Sequence, residues 1–211
     1  MLASEDLCRT LIAVGVRDAR VLDAFRALPR HEFVPRDQRS CAYEDVPLPI
    51  PHGQVTTQPS LMVRMVEALA LRGSERVLEV GTGYGFQTAL LGRLARVVWS
   101  VERWPDLADA ARTSLERCGV RNARVVVGDG TRGLPRAAPF DAIVVAAAFP
   151  RVPRPLAEQL VSGGRLVQPI GPGGREEVVL YVKDANVLRR VAPVTSAQFV
   201  RLVGEHAFRE D

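Results

Sequence analysis

Lysine is almost missing from this 211-residue chain: Lys183 stands alone, and the other 27 of its 28 basic side chains are arginines. They are dispersed among 24 acids, the formal net charge is only +4, and no basic run reaches five residues. A focused electrostatic footprint for nucleic acid is therefore absent, and no nucleic-acid partner is expected. Long apolar runs are missing as well. With no stretch of about 18 such residues, nothing is expected to span or bind a membrane. The opening MLASEDLCRTLIAVG carries acids where a secretory leader would carry bases, so a cytoplasmic location is expected. Cysteine is scarce: Cys8, Cys41 and Cys118 are odd in number, far apart and form no CxxC, which argues against a disulfide framework and a zinc site. What remains is a 47% hydrophobic, 25% charged composition, long enough to bury its own core and suited to one compact, monomeric unit.

Two stretches divide the chain. Residues 1–75 read as an N-terminal helical segment with a covering loop, and residues 76–211 as an α/β core. In the first, Ser4 suits a helix cap, and Val21, Leu22, Phe25 and Leu28 recur at helical spacing. Residues 35–58 are proline-rich and aperiodic, and are expected to form an ordered irregular loop; a helix follows with Pro59 in its first turn. From residue 76, strand and helix alternate: RVLEV, FQTALLGRLA, VVWSVE, PDLADAARTSLERCG, ARVVVGD and FDAIVVAA. A helix is expected over residues 152–164, ending at Gly163 and Gly164, followed by strands at RLVQPIG and EEVVLYVKD, a tight hairpin at residues 184–186 and an extended stretch around QFVRLV. Such alternation predicts a doubly wound parallel sheet with an antiparallel C-terminal element, and ligands at the carboxyl ends of its strands.

The strongest chemical signal is Glu79-Val80-Gly81-Thr82-Gly83-Tyr84-Gly85, placed between a strand and a helix. The third glycine comes one residue too early for a dinucleotide fingerprint, whose pyrophosphate needs a donor cradle at the helix start. A GxGxG turn after an acid suits a phosphate-free ligand with an amine, namely S-adenosylmethionine, and Glu79 is placed to help bind that amine directly or through water. Glu102 ends the next strand, where a carboxylate can accept from both ribose hydroxyls. Asp129, in the Gly128-Asp129-Gly130 turn, can accept from an adenine amino group. Each feature alone is commonplace; three in order at strand ends are not.

In these motifs and the segments around them, the chain resembles the protein-L-isoaspartate (D-aspartate) O-methyltransferase family. The likeness runs through VLDAFRALPRHEFVP, AYEDVPLPI, GQVTTQPSLMVRMVEAL, VLEVGTGYGFQTALL, GDGTRG, the long segment from Pro139 to Gly174, and FVRLVG. It implies a Rossmann-like class I S-adenosylmethionine-dependent methyltransferase sheet. It also implies methylation of the α-carboxylate of L-isoaspartyl residues in damaged proteins and peptides, which initiates repair through a succinimide. By the same resemblance Thr56, Thr82, Arg103 and Gly130 join Glu79, Gly81, Gly83, Gly85, Glu102 and Asp129 around the cofactor. Val55, Thr57, Gln58, Ala147, Phe199 and Val200 then face the substrate. Where the family carries a serine regarded as catalytic, this chain has Thr57, which keeps the hydroxyl and adds a methyl; its other reading is a cap of the Pro59 helix. The tail EHAFRED departs from the family pattern, and no role is carried over to it.

A carboxylate acceptor with a pKa near 3.5 is already ionised at pH 7, so no general base is required. That fits three histidines, His31, His52 and His206, with no constellation around the glycine turn. Three rivals stand beside this reading. A nucleic-acid methyltransferase would carry a polar residue before Pro-Pro-aromatic where this chain has Ala146-Ala147-Ala148-Phe149-Pro150. A small-molecule O-methyltransferase would cluster carboxylates around Mg²⁺, and no metal site is evident. A methyltransferase of an aspartate in a dedicated precursor peptide would be expected to add a recognition domain.

Overall fold

The computed structural model describes residues 2–209. Helices α1 (Leu2–Ala13), α2 (Ala19–Arg26) and α3 (Pro59–Ala68) precede the main sheet. Between α2 and α3 lie two 3₁₀ turns, Arg30–Phe33 and Arg36–Cys41, and a hairpin of β1 (Leu48–Ile50) with β2 (Gln54–Thr56). The core then runs β3 (Arg76–Val80), α4 (Phe86–Leu94), β4 (Val97–Glu102), α5 (Pro105–Arg117), β5 (Ala123–Val127), β6 (Phe140–Val145), α6 (Arg154–Gln159), β7 (Leu160–Ile170), β8 (Glu176–Asp184) and β9 (Val187–Ala197).

The seven strands order as β5-β4-β3-β6-β7-β8-β9. Pairings from β5 through β7 are parallel, and β8 and β9 add two antiparallel strands. Strand alternation divides the core into two layers. Val77, Val98, Ala142, Val144 and Val167 face one layer with Leu7, Phe25, Met65 and Leu90, so α1–α4 pack on that side. Leu78, Val101, Ile143, Val145 and Leu166 face the other, with Leu156 of α6 and Leu202. From β3 the chain moves outward to β4, and it returns on the other side of β3 at β6. That reversal opens a crevice at the carboxyl ends of β3 and β6, the usual ligand position in such sheets.

Three local expectations are corrected. Ser4 lies inside α1, whose first residue is Leu2, so it is not the cap. The stretch at 35–58 is ordered but not irregular throughout: Leu48 and Ile50 are buried with Pro49 exposed between them, which is strand alternation confined to three residues. The helix expected over 152–164 stops at Gln159, and residues 160–164 begin β7. Leu160 is drawn into the sheet opposite Phe140, and the register shifts before Ala142 meets Arg165; Gly163 (φ +79°) sits within the shifted stretch. QFVRLV is extended as expected: Val200 O accepts from Ala148 N and Leu202 N donates to Ala148 O, both at 2.8 Å, around an isolated Ala148–Arg201 bridge, while the edge of the seven-stranded sheet is β9.

Candidate active site

The crevice encloses about 1000 Å³, its open mouth included. Its floor is the glycine turn after β3. Gly81 has φ +95°, and a Cβ there would lie 3.3 Å from the Ala146 Cβ, so a side chain at that point would be strained in its backbone and pressed against Ala146. Glu102, only 5% exposed, lines the crevice. Its carboxylate accepts from the Gly83 N–H at 2.9 Å and the Trp104 N–H at 3.1 Å. A carboxylate has about four acceptor sites, so Glu102 retains capacity for two ligand hydroxyls. An acid with spare acceptor capacity beside a glycine floor fits a ribose, and on this observation the residues present suit S-adenosylmethionine. Thr82 lines the floor too, its hydroxyl 2.5 Å from Ser100 Oγ, and Gly85, Arg103 and Gly130 complete it.

Glu79 does not line this crevice, which corrects the expectation that it meets the amine directly. It is fully buried and accepts from Gln87 Nε2, Thr88 Oγ1 and Ser100 Oγ. Burial pushes its carboxyl up to about 7, against the three donors that favour the ionised form. Its position braces the glycine turn from behind. Asp129 opens onto an adjoining recess that shares Arg103 and Val203 with the crevice. Its oxygens accept from Thr131 N at 2.9 Å, Thr131 Oγ1 at 2.6 Å and Glu205 N at 2.8 Å. One acceptor site remains on the carboxylate, and the tail, which departs from the family pattern, reaches Asp129 through Glu205. His206 N also donates to Thr131 Oγ1.

The cover comes from the β1–β2 hairpin and the segment after it. Val55, Thr56 and Thr57 line the crevice opposite the glycine turn, with Ala147 and Val200 at the same mouth. The Thr56 hydroxyl accepts from Leu48 N at 3.2 Å. The Thr57 hydroxyl has no protein partner among the described residues. The capping alternative for Thr57 is not realised: Gln58 occupies the cap position without a side-chain cap bond, and Asp45 instead accepts from Ser60 N at 2.8 Å. Two expected substrate contacts lie elsewhere. The Gln58 amide donates to Asp45 because the helix entry turns it away from the crevice. Phe199 packs against the α1–α4 side of the core, its N–H held by Glu176.

Several lining residues carry no local sequence signal. Arg30 and Ile50 enter from distant segments, as do Leu202 and Val203, and Phe86 directly follows the glycine turn. Trp104 also lines the crevice. His52, at the hairpin tip, stacks on its ring at 3.9 Å and 6°, while the Arg103 guanidinium lies 4.8 Å from the same ring. The His52 Nε2 is 2.9 Å from both Asp106 carboxylate oxygens. None of the three histidines lines the crevice, and no cluster of metal-ligating side chains occurs among the described residues.

Comparison with known proteins agrees with this geometry. The family model for protein-L-isoaspartate (D-aspartate) O-methyltransferase matches residues 2–207. A protein-L-isoaspartate O-methyltransferase of Methanoculleus marisnigri is 50% identical over 197 residues, covering 93% of this chain and 89% of the relative. One from a Roseiflexus species is 47% identical, covering 94% and 90%. A solved protein-L-isoaspartate O-methyltransferase superposes with a TM-score of 0.85 at 31% identity, covering 97% of this chain and 67% of that one. A Plasmodium falciparum structure in complex with S-adenosyl-L-homocysteine shares the fold, with a TM-score of 0.78 at 22% identity, covering 94% and 97%. A near-complete family match over a class I methyltransferase sheet places the chain in the protein-L-isoaspartate (D-aspartate) O-methyltransferase family, enzymes that use S-adenosylmethionine to methylate isoaspartyl residues.

Proposed function

We propose that the two walls of the crevice divide the family reaction, the floor holding the methyl donor and the cover presenting the α-carboxylate of an L-isoaspartyl residue. The observation that carries this reading is the pairing, in one crevice, of Glu102 with spare acceptor capacity and Thr57 with an uncommitted hydroxyl. S-adenosylmethionine, when bound, supplies an electrophilic methyl group on a sulfonium. Glu102 would hold its ribose, the turn at Gly81, Thr82, Gly83 and Gly85 would let it approach the backbone, and Arg103, Asp129 and Gly130 would flank its adenine end. Thr56 would meet the methyl donor from the cover.

Thr57 would donate a hydrogen bond to one carboxylate oxygen and so aim the other at the methyl carbon. Because the acceptor is already ionised, the protein has no proton to remove. Its work is orientation and exclusion of water. Val55, Ala147 and Val200 would border the peptide; Ala147 leaves room for a backbone. After methylation the neighbouring peptide nitrogen attacks the ester carbonyl, methanol leaves and a succinimide forms without further help from the enzyme. The reading extends to a cytoplasmic monomer without nucleic-acid or membrane partners. Free thiols at Cys8, Cys41 and Cys118 suit a reducing compartment.

Substitution at Thr57 tests the division. Thr57→Ser keeps the donor and should retain or raise the single-turnover rate. Thr57→Val keeps the shape, loses the donor and should be about 10- to 150-fold slower, with S-adenosylmethionine affinity little changed. A valine variant as fast as the parent would remove Thr57 from catalysis.

A further inference from the structure

Arg30 is among the largest side chains sealed inside the protein, with 2% of its surface exposed. It follows Pro29 into a 3₁₀ turn and reaches the acceptor side of the crevice beside Thr56 and Thr57. Its Nη1 donates to the Ala42 and Glu44 carbonyls, and Nη2 lies 3.5 Å from the Thr56 hydroxyl. The Phe86 ring centroid is 5.8 Å from the guanidinium carbon. Among the described residues no carboxylate comes within ion-pair distance. Asp45 acts on Arg30 only from further off, its own oxygens being held by Gln58 and Ser60. Burial lowers the guanidinium to about 10, which still leaves it charged at neutral pH.

A buried charge without a counter-ion is costly, and two backbone carbonyls do not require one, since a neutral donor could hold them. The crevice is where the missing negative charge can enter. Resting on the reading above, we propose that Arg30 is a specificity-determining residue, whose positive charge makes the acceptor side of the crevice select a carboxylate over a neutral group of the same shape. Its Nη1 is committed to the two carbonyls, so the charge acts on the bound anion largely as a field and by fixing Thr56 next to Thr57. An attraction of this kind strengthens binding of the ionised acceptor without tying up the oxygen that must react. The effect therefore belongs to substrate affinity more than to the rate of the chemical step.

The test uses the whole protein loaded with S-adenosyl-L-homocysteine, so that no turnover occurs. Calorimetry compares an isoaspartyl peptide with the same peptide carrying an α-carboxamide in place of the α-carboxylate. The parent should favour the carboxylate by roughly tenfold or more. Arg30→Lys should keep most of that preference. Arg30→Gln, which can still donate to a carbonyl, should lose it through weaker binding of the carboxylate peptide alone. Equal losses for both peptides in Arg30→Gln would show that Arg30 only holds the loop. A parent with no preference for the carboxylate would overturn the proposal without any variant. Either result is distinct from failure of the broader reading, which would appear as a parent that does not methylate the isoaspartyl peptide at all.

Discussion

The two walls of the crevice are built in different ways. The floor is held by strand register: β4, β3 and β6 lie side by side, and the glycine turn is braced by the buried Thr82–Ser100–Glu79–Thr88 chain of hydrogen bonds. The cover is two strands of three residues each, too short to be stable alone. A few side chains attach it and the segment leading into it: Arg30 to the Ala42 and Glu44 carbonyls, Asp45 to the start of α3, and the hairpin's own His52 to Trp104 and Asp106. A fixed floor suits a ligand that is always the same. A cover tied by a few side chains suits a peptide whose flanking sequence varies and a cofactor that must be exchanged each cycle. Floor substitutions should therefore act on cofactor affinity, and cover substitutions on the acceptor and on exchange.

The largest effect is expected at Gly81. Gly81→Val demands a left-handed backbone from a branched residue and presses it against Ala146, so S-adenosylmethionine binding should be lost in calorimetry. Retained affinity would move the cofactor off this floor. Glu102→Ala removes the carboxylate proposed to hold the ribose and also frees the Gly83 N–H; affinity should fall about tenfold or more.

Glu79 sharpens the comparison through pH. Its folded pKa, about 7, lies above the ordinary 4.5, so the native state holds this proton more tightly than the unfolded chain. Its contribution to stability is full below about 4.5, falls as pH rises towards 7, and then levels off. Urea unfolding of the parent and of Glu79→Gln at pH 5 and pH 8 should differ in pH dependence by up to about 3 kcal/mol. Identical pH slopes would show that Glu79 ionises as readily in the native protein as in the unfolded chain. The smallest effect belongs to the cover. His52→Ala removes the stack on Trp104, worth roughly 1 kcal/mol, and should speed S-adenosyl-L-homocysteine release severalfold in stopped-flow while leaving global stability nearly unchanged. Unchanged release would mean that the hairpin tip does not restrain the cofactor.

The same division explains what could be read without coordinates. The floor is written locally: an acid, a strand and a glycine turn lie within ten residues, and Glu102 ends the next strand. The cover is assembled across distance. Thr56 meets Arg30 from 26 positions away, and His52 meets Asp106 from 54, so no periodicity announces either contact. Thr57, Gln58 and Phe199 all rest on family resemblance, which carries a position along the chain but not its local partners; Gln58 and Phe199 turn elsewhere because Asp45 and Glu176 claim their polar groups. The α6–β7 boundary was obscured because Leu160, apolar in either state, is decided by its pairing with Phe140. The tail's hold on Asp129 depends on the main-chain N–H of Glu205, and its hold on Thr131 on that of His206, which no side-chain pattern encodes.

The most direct test of the central claim is transfer of labelled methyl from S-adenosylmethionine by the parent enzyme to an isoaspartyl peptide and, in parallel, to its aspartyl twin. Rapid labelling of the isoaspartyl peptide as a base-labile ester is expected, with negligible labelling of the aspartyl peptide and a chemical rate that stays flat from about pH 6 to 8 because the acceptor is ionised throughout. Label that enters neither peptide but does enter RNA or a small phenol would contradict this expectation.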